Sequence, residues 1–167
     1  NIMVIWLMGI SGAGKSTLGI KLKKYYDNNN VDSFLLDGDV IRDFYDNDLG
    51  YSVEDRVSNI KRIMLSAYVL EQKGIIPIIC NISPFENLRD FAREKFNNYN
   101  EIFLRKNLEI AKSNDVKNIY KNHFGKSLLV GVDMVFENPL NSDLIIEVDK
   151  EDVETSFGKI INYLESK

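Results

Sequence analysis

Residues 9–17 read Gly9-Ile10-Ser11-Gly12-Ala13-Gly14-Lys15-Ser16-Thr17. This stretch matches the pattern G-x-x-x-x-G-K-S, in which the glycines let the backbone bend so that successive N–H groups point at an anion. An apolar run at Ile2–Met8 precedes it and predicts a buried strand, and Lys15–Tyr26 follows with apolar residues at helical spacing. The stretch therefore indicates a phosphate-binding loop at a helix N-terminus. A chance glycine turn is the alternative.

The pattern gives this loop a specific chemistry. We expect Lys15 to reach the outer phosphates of a nucleoside triphosphate and to act in catalysis, and the Ser16 hydroxyl to hold Mg²⁺. The residues expected to bind this nucleotide are Gly9, Ser11, Gly12, Ala13, Gly14, Lys15, Ser16 and Thr17.

Length and charge narrow the class of protein. The 167 residues fit one domain, and the net charge of −4 gives no basic surface for nucleic acid. No apolar run approaches the roughly 18 residues of a membrane span. The single cysteine, Cys80, cannot form an internal disulfide, so we expect a buried structural thiol in a reducing, cytoplasmic location.

Five apolar segments predict five strands, and helical segments alternate with them. Several of the strands are continuously apolar, which is typical of parallel strands covered on both faces, so we predict a doubly wound α/β fold. The predicted strands are Ile2–Met8, Ser33–Leu36, Ile75–Cys80, Glu101–Leu104 and Asp143–Val148.

Helix signals are clearest in the middle of the chain. Apolar spacing predicts helices at Val53–Gln72 and near Val153–Leu164. The run Ser83-Pro84-Phe85-Glu86 predicts a helix start, with Ser83 as the N-cap and the proline at the first helical position. The polar stretch at about 107–139 predicts a short helix followed by a mobile lid over the reacting phosphates, with an ordinary surface loop as the alternative.

Polar residues follow the second predicted strand. Ligands of parallel α/β sheets bind at the carboxyl ends of strands, so Asp37, Asp39 and Arg42 should lie beside the phosphate loop. Asp39 is the candidate to orient an attacking hydroxyl, Asp37 could organise the magnesium shell, and Arg42 could pair with an anionic acceptor. A plain turn after a strand is the alternative.

A second polar group lies at the start of the Val53–Gln72 helix. Arg56 and Asn59 are three residues apart and therefore share a helix face, where they can bind one ligand. Tyr51 could stack on a base. The alternatives are a solvated helix face and a core aromatic residue.

With these motifs in place, the chain resembles adenylyl-sulfate kinases. The matching segments are Gly9–Thr17, Leu36–Asp39 with Arg42, Asp48–Arg56 with Asn59, Ile82–Phe85, Arg89-Asp90, Asp115–Lys117 with Tyr120-Lys121, and Gly131 with Phe136-Glu137. The resemblance implies a P-loop kinase fold with a five-stranded parallel sheet, one kinase domain over 1–167 and a homodimer. It implies that Mg·ATP phosphorylates the ribose 3′-hydroxyl of adenylyl sulfate, a step of sulfate assimilation.

The resemblance also implies residue roles. Asp39 matches the acidic residue proposed to engage the acceptor hydroxyl. The positions implied to bind the acceptor are Arg42, Tyr51, Arg56, Asn59, Ile82, Ser83, Lys117 and Leu129.

Several positions depart from the family pattern. Val40 replaces a usual asparagine, and Leu129 replaces a phenylalanine that closes the second side of the base sandwich, unless Phe124 substitutes for it. Such a pocket is also compatible with cytidine diphosphoramidate, which similar kinases phosphorylate in capsule biosynthesis. A nucleotide-sensing module without catalysis is the non-enzyme alternative, although it would need only the phosphate loop.

Overall fold

A parallel sheet with helices on both faces forms the fold of the chain in its computed structural model. The structure describes residues 2–113, 119 and 129–167. The strands are β1 (Val4–Met8), β2 (Ser33–Asp37), β3 (Ile76–Cys80), β4 (Tyr99–Arg105) and β5 (Leu144–Glu147). The helices are α1 (Lys15–Asn28), α2 (Gly38–Phe44), α3 (Val53–Gln72), α4 (Glu86–Lys95), α5 (Leu108–Ser113) and α6 (Val153–Glu165).

The strand order, β2-β3-β1-β4-β5, places β1 at the centre of the sheet. It pairs in parallel with β3 on one side, where Ile5 lies opposite Ile78, and with β4 on the other, where Ile5 lies opposite Asn100. Because β2 and β5 also pair in parallel with their neighbours, all five carboxyl ends meet at one edge. The phosphate loop follows β1 and so lies at the edge where ligands of such sheets bind.

Side chains of β1 alternate between two apolar clusters, one on each face of the sheet. Trp6 packs with residues of α3 and α4 such as Ile60, whereas Leu7 packs with residues of α1 and α6 such as Leu18. All five residues of β1 are buried, as expected for a central strand covered on both sides. The predicted five-stranded parallel sheet with helices on both faces is confirmed.

The predicted element boundaries agree well with the structure. α3 spans Val53–Gln72 as predicted, and the Ser52 hydroxyl accepts a hydrogen bond from the Asp55 N–H at 3.1 Å as its N-cap. The strand ends differ from the predictions by one or two residues.

The short helix α2 is a feature that the sequence pattern did not predict. Asp37-Gly38-Asp39 is typical of a turn, but the Asp37 carboxylate accepts a hydrogen bond from the Asp39 N–H at 2.9 Å and caps a helix instead. The alternative of a plain turn after β2 is therefore wrong.

The prediction that Ser83 is a helix N-cap is also wrong. α4 begins at Glu86, and Ser83 has a left-handed backbone with φ +53°. Its hydroxyl accepts a hydrogen bond from the Trp6 indole N–H at 2.7 Å. The Glu86 N–H donates instead to the carboxylate of Glu137 at 2.9 Å, so a distant side chain takes the place of the local cap.

The segment predicted to form a lid begins with a short helix, α5, as expected. The Asn107 side-chain oxygen accepts a hydrogen bond from the Glu109 N–H at 2.9 Å and caps it. Lys117 and Phe124 lie outside the described residues. Within the described ranges, no helix is both long and apolar enough to cross a membrane.

Candidate active site

The phosphate loop connects β1 to α1. At Gly9 an added Cβ would lie 2.6 Å from the carbonyl oxygen of Leu104, so a side chain does not fit there. Gly14 precedes α1 with φ +96°, a conformation that glycine adopts without strain. The Lys15 ammonium donates to the carbonyl oxygens of Gly9 and Ile10 at 2.8 and 2.9 Å. Its positive charge therefore lies directly over the loop.

The N-terminus of α1 has no side-chain cap among the described residues and no acidic residue in its first turn. The first N–H groups of a helix lack intrahelical partners and carry partial positive charge. Ala13 is buried in the loop, whereas Gly12 and Thr17 are exposed and Ser11 is half-buried. With Lys15 beside it, this helix end is complementary to a phosphate group.

Ser16 and Asp37 bring two oxygen atoms together where β2 meets α1. The Ser16 hydroxyl lies 3.4 Å from Oδ2 of Asp37. Magnesium prefers such oxygen ligands and completes its shell with phosphate and water, so the pair fits a Mg²⁺ ion. The described ranges contain no group of three or more His, Cys, Asp or Glu side chains that could hold a metal on its own.

Asp37 links the phosphate loop to Asp39. While its Oδ2 faces Ser16, its Oδ1 accepts the hydrogen bond from the Asp39 N–H. The Asp39 side chain itself is exposed in the first turn of α2. A carboxylate that solvent or a substrate can reach therefore lies two residues from the predicted metal ligand.

Arg42, Tyr51 and Arg56 form a cluster between α2 and α3. The two guanidinium carbons lie 4.2 and 5.2 Å from the centroid of the Tyr51 ring. Burial, and then the charge of Arg42, lowers the pKa of Arg56 below its usual value. The structure thus places two predicted acceptor-binding arginines beside the ring of a third such residue, Tyr51, which is 46% exposed.

The position of Arg42 is fixed more tightly than the sequence suggested. Its Nη1 donates to the carbonyl oxygens of Leu49 and Gly50 at 3.2 and 2.8 Å, and the residue is 8% exposed. Arg42 therefore also holds the loop that leads to Tyr51.

Asn59 lies one turn after Arg56 on α3 and is 2% exposed. Its Oδ1 has no hydrogen-bond partner within the described residues, and its Nδ2 lies 3.7 Å from the position that a Cβ of Gly38 would occupy. A buried amide oxygen without a partner is uncommon and is suited to a donor on a ligand.

Ile82 and Ser83 follow β3, and Ile82 touches the phosphate loop. The Gly9 N–H donates to the carbonyl oxygen of Ile82 at 3.4 Å, and the Ile82 side chain packs with Ile10 and Val130. Ser83 is 5% exposed. Of these two predicted acceptor residues, Ile82 is thus positioned against the phosphate loop and Ser83 against β1, the strand that precedes it.

Leu129 opens a tight turn in the segment after the undescribed part of the predicted lid. It is buried, and its carbonyl oxygen accepts hydrogen bonds from the N–H groups of Val132 and Asp133 at 3.0 and 2.8 Å. Its neighbour Val130 packs against Ile10 of the phosphate loop. This part of the segment therefore lies at the site, whereas Lys117 is outside the described residues.

Cys80 is a buried thiol, as predicted. It donates from Sγ to the carbonyl oxygen of Lys15 at 3.2 Å. Burial, and then the charge of Asp37, raises the pKa of Cys80 to about 12, so the thiol stays protonated at neutral pH.

Sequence reasoning assigned no role to three residues near the site, although Arg89 lies in a segment that matches the family. Trp6, Asn81 and Arg89 all hydrogen-bond to Ser83. The Trp6 contact spans 77 residues of sequence, so no local spacing could have revealed it. The available signals were weak: the lone tryptophan of the chain in the strand before the phosphate loop, and an arginine at a core-facing position of α4.

A sequence profile described as "Adenylylsulphate kinase" matches residues 1–147 of this chain. The chain belongs to the adenylyl-sulfate kinase family. A curated member, the adenylyl-sulfate kinase of Halothermothrix orenii, is 35% identical over 167 residues that cover 99% of this chain and 90% of that protein. The adenylyl-sulfate kinase of Pseudomonas aeruginosa is 38% identical over 167 residues, which cover 98% and 85% respectively.

Solved structures of the family share the fold. The APS kinase of Mycobacterium tuberculosis in complex with AMPPNP and APS is 26% identical, covers 98% of both chains and has a TM-score of 0.90. A hexameric APS kinase from Thiobacillus denitrificans is 25% identical with a TM-score of 0.73, and the match covers 98% of this chain and 29% of that one. These findings confirm the resemblance stated from the motifs.

Proposed function

We propose that this chain transfers the γ-phosphoryl group of ATP to the ribose 3′-hydroxyl of adenylyl sulfate. The bond from the γ-phosphorus to the bridging oxygen breaks, a bond to the 3′-oxygen forms, and ADP and the hydroxyl proton leave. The observation that carries this proposal is the connection from Ser16 through Asp37 to Asp39, which joins the phosphate-binding loop to an accessible carboxylate.

On the donor side, the loop and α1 hold the phosphates. The loop N–H groups, the bare helix end and Lys15 supply positive charge where the triphosphate lies. Ser16 and Asp37 would hold Mg²⁺, which when bound neutralises charge on the phosphate oxygens.

On the acceptor side, Asp39 orients the 3′-hydroxyl and accepts its proton. Arg42 and Arg56 bring positive charge to an anionic acceptor, and Tyr51 between them offers a ring face to its base. The side-chain oxygen of Asn59, which lacks a partner in the described part of the chain, would accept a hydrogen bond from the ligand. Lys117 is proposed to add a positive charge from the lid.

Leu129 favours a second candidate acceptor, cytidine diphosphoramidate. An aliphatic side chain at this position leaves one face of the base without an aromatic partner, and base stacking contributes roughly 1–3 kcal/mol per base in single-strand binders. In Leu129→Phe we expect the kcat/KM ratio of adenylyl sulfate to cytidine diphosphoramidate to rise about tenfold. Leu129→Met, which adds no ring, is the control, and an unchanged ratio would remove this residue from base selection.

A coupled assay of ADP release tests the proposed function. Unmodified protein with Mg·ATP is given adenylyl sulfate or cytidine diphosphoramidate in parallel, and kcat/KM is compared. A clearly higher value with adenylyl sulfate supports the proposal, and the reverse supports the second acceptor. ADP release that neither compound raises above background would indicate a nucleotide-sensing module instead.

The assembly and location are part of the proposal. We propose one kinase domain over 1–167, with a lid at about 107–139, acting as a homodimer in the cytoplasm. An apolar strip on α3, made of Leu65, Tyr68 and Val69 with exposures of 65%, 45% and 53%, supports an interface between copies. Light scattering on the purified protein measures the mass, and a monomer at micromolar concentration would contradict the dimer.

A further inference from the structure

Ser83 is held in an unfavourable backbone conformation by hydrogen bonds to its N–H, hydroxyl and carbonyl groups. Its φ of +53° is uncommon for a residue with a side chain, and the residue is 5% exposed. Its N–H donates to Oδ1 of Asn81 at 3.0 Å, its hydroxyl accepts from the Trp6 indole at 2.7 Å, and its carbonyl oxygen accepts from Nε of Arg89 at 3.0 Å. Strain of this kind persists only where the surroundings enforce it, and it is concentrated at functional sites.

Trp6 and Arg89 hold Ser83 from two sides, and we call this pair the Ser83 clamp. Trp6 provides its first half. It is 2% exposed in β1, two residues before the end of the strand that leads into the phosphate loop. Its indole N–H requires an acceptor when buried, and the hydroxyl of Ser83 is that acceptor. Because Gly9 also bonds to Ile82, the strand before the loop and the loop itself both hold the segment after β3.

Arg89 provides the second half and extends it. The residue is 2% exposed, and its Nη1 donates to the carbonyl oxygen of Glu137 at 2.7 Å and to the carboxylate of Glu86 at 2.5 Å. The guanidinium carbon lies 4.8 Å from the centroid of the Phe136 ring. One buried cation thus joins Ser83 to the end of the segment predicted to form the lid.

We infer that Trp6 and Arg89 are positioning residues for the acceptor. They fix the left-handed conformation of Ser83 and thereby hold Ile82 against the phosphate loop and Ser83 against β1, at the place where the acceptor is proposed to bind. This inference rests on the proposed function for the identity of the acceptor, but the clamp itself can be tested without any substrate.

Trp6→Phe is the sharpest variant, because it keeps an aromatic ring in the core and removes the N–H donor. Tyr99→Phe is its matched control: Tyr99 packs against Trp6 with ring centroids 6.2 Å apart, and its hydroxyl bonds to Glu101 rather than to Ser83. Each variant loses one hydrogen bond from the same apolar cluster, and Trp6→Phe also removes part of a buried ring system.

We expect Trp6→Phe to raise KM for the acceptor about fivefold or more while KM for ATP changes less than twofold. Tyr99→Phe should leave both constants within twofold. If Trp6→Phe lowers the thermal midpoint but shifts neither KM, or shifts both equally, the contact is merely structural and the inference is overturned.

Arg89→Lys tests the second half, with Arg93→Lys as its control. Lysine keeps the charge but cannot bond to Ser83 and Glu137 together in the geometry of the guanidinium fork. Arg93 lies one turn later on α4 and bonds to Asp90 and Glu101. Acceptor KM should rise in Arg89→Lys and not in Arg93→Lys. If Arg89→Lys does not fold, the comparison of Trp6→Phe with Tyr99→Phe alone tests the inference.

Hydrogen exchange separates this inference from the proposed function. In the ligand-free protein, the Ser83 amide should exchange at least about tenfold faster in Trp6→Phe than in Tyr99→Phe. Equal exchange would overturn the clamp whatever the acceptor is. If the unmodified enzyme turns over cytidine diphosphoramidate instead of adenylyl sulfate, the proposed function fails, and the KM comparison is made with that compound.

Discussion

The two longest described helices, α1 and α3, have N-termini built in opposite ways. α1 begins after Gly14 with no side-chain cap in the described part of the chain and no acidic residue in its first turn. α3 begins after Ser52, whose hydroxyl caps it, and its first turn contains Glu54 and Asp55. α2, α5 and α6 likewise have capping oxygens from Asp37, Asn107 and Asp152.

The difference in capping and charge suits the N-termini of α1 and α3 to different roles. At α3 the chain satisfies its own N–H groups and complements the helix dipole with carboxylates. At α1 the described residues supply neither a side-chain cap nor a carboxylate in the first turn, and Lys15 adds a positive charge. A helix end of that kind is stable with an anion in place, which is why we place the triphosphate there.

Among the variants that test this difference between the helix ends, Lys15→Ala should have the largest effect. Removing the ammonium should lower kcat about 10³-fold, because the phosphate loop loses the positive charge expected to reach the outer phosphates. Coupled ADP release measures kcat, and circular dichroism checks that the fold persists. Lys24→Ala, exposed on the same helix, should change kcat less than about twofold.

Asp39→Asn tests a helix whose N-terminus is capped by the chain itself, namely α2 with its cap Asp37. The carboxylate of Asp39 is exposed, and only its backbone N–H takes part in the cap, so the helix should remain intact. Loss of the group that orients the hydroxyl should lower kcat about 10²-fold or more. Asp43→Asn, one turn further along α2, is the control. Turnover near that of the unmodified enzyme in Asp39→Asn would exclude the residue from the chemistry.

Thr17→Asp would give the N-terminus of α1 an acidic residue in its first turn, as α3 has. Thr17 is exposed in the first turn of α1, so a carboxylate there should stabilise the free protein by about 0.3–1 kcal/mol. The same charge should raise KM for ATP about tenfold by repelling the phosphates. Thermal unfolding and kinetics measure the two effects, and a KM that stays constant would contradict the assignment of this end to ATP.

Ser52→Ala should have the smallest effect on function. Losing the cap of α3 should cost about 1 kcal/mol of unfolding free energy, or about 2–4 °C in the thermal midpoint of a chain of this size. KM for ATP should not change. If KM for ATP rises as much as in Thr17→Asp, the two helix ends are not distinct in function.

Local patterns predicted much of this fold, because apolar periodicity and caps within one helix are local properties. Val53–Gln72 is correct at both ends for that reason: its apolar stripe lies within the helix, and its cap, Ser52, immediately precedes it. The glycine loop was equally clear, since its residues act together through consecutive backbone groups.

Long-range contacts explain what the sequence did not reveal. Ser83 has the local pattern of a cap, but a tryptophan 77 residues away binds its hydroxyl and leaves the N-terminus of α4 to Glu137. Arg42 was expected to face a ligand, yet it also bonds to the carbonyl groups of a loop seven and eight residues on. Competition between such partners is decided only when the chain has folded.

The packing of α1 on the sheet has one further consequence. A Cβ at Gly19 would lie 2.5 Å from the sulfur of Cys80, so this helix rests directly on the thiol. Alkylating reagents can reach the sulfur only when α1 lifts away. The rate of Cys80 labelling then reports how often α1 separates from the sheet. Bound nucleotide, which stabilises the N-terminus of α1, should lower that rate.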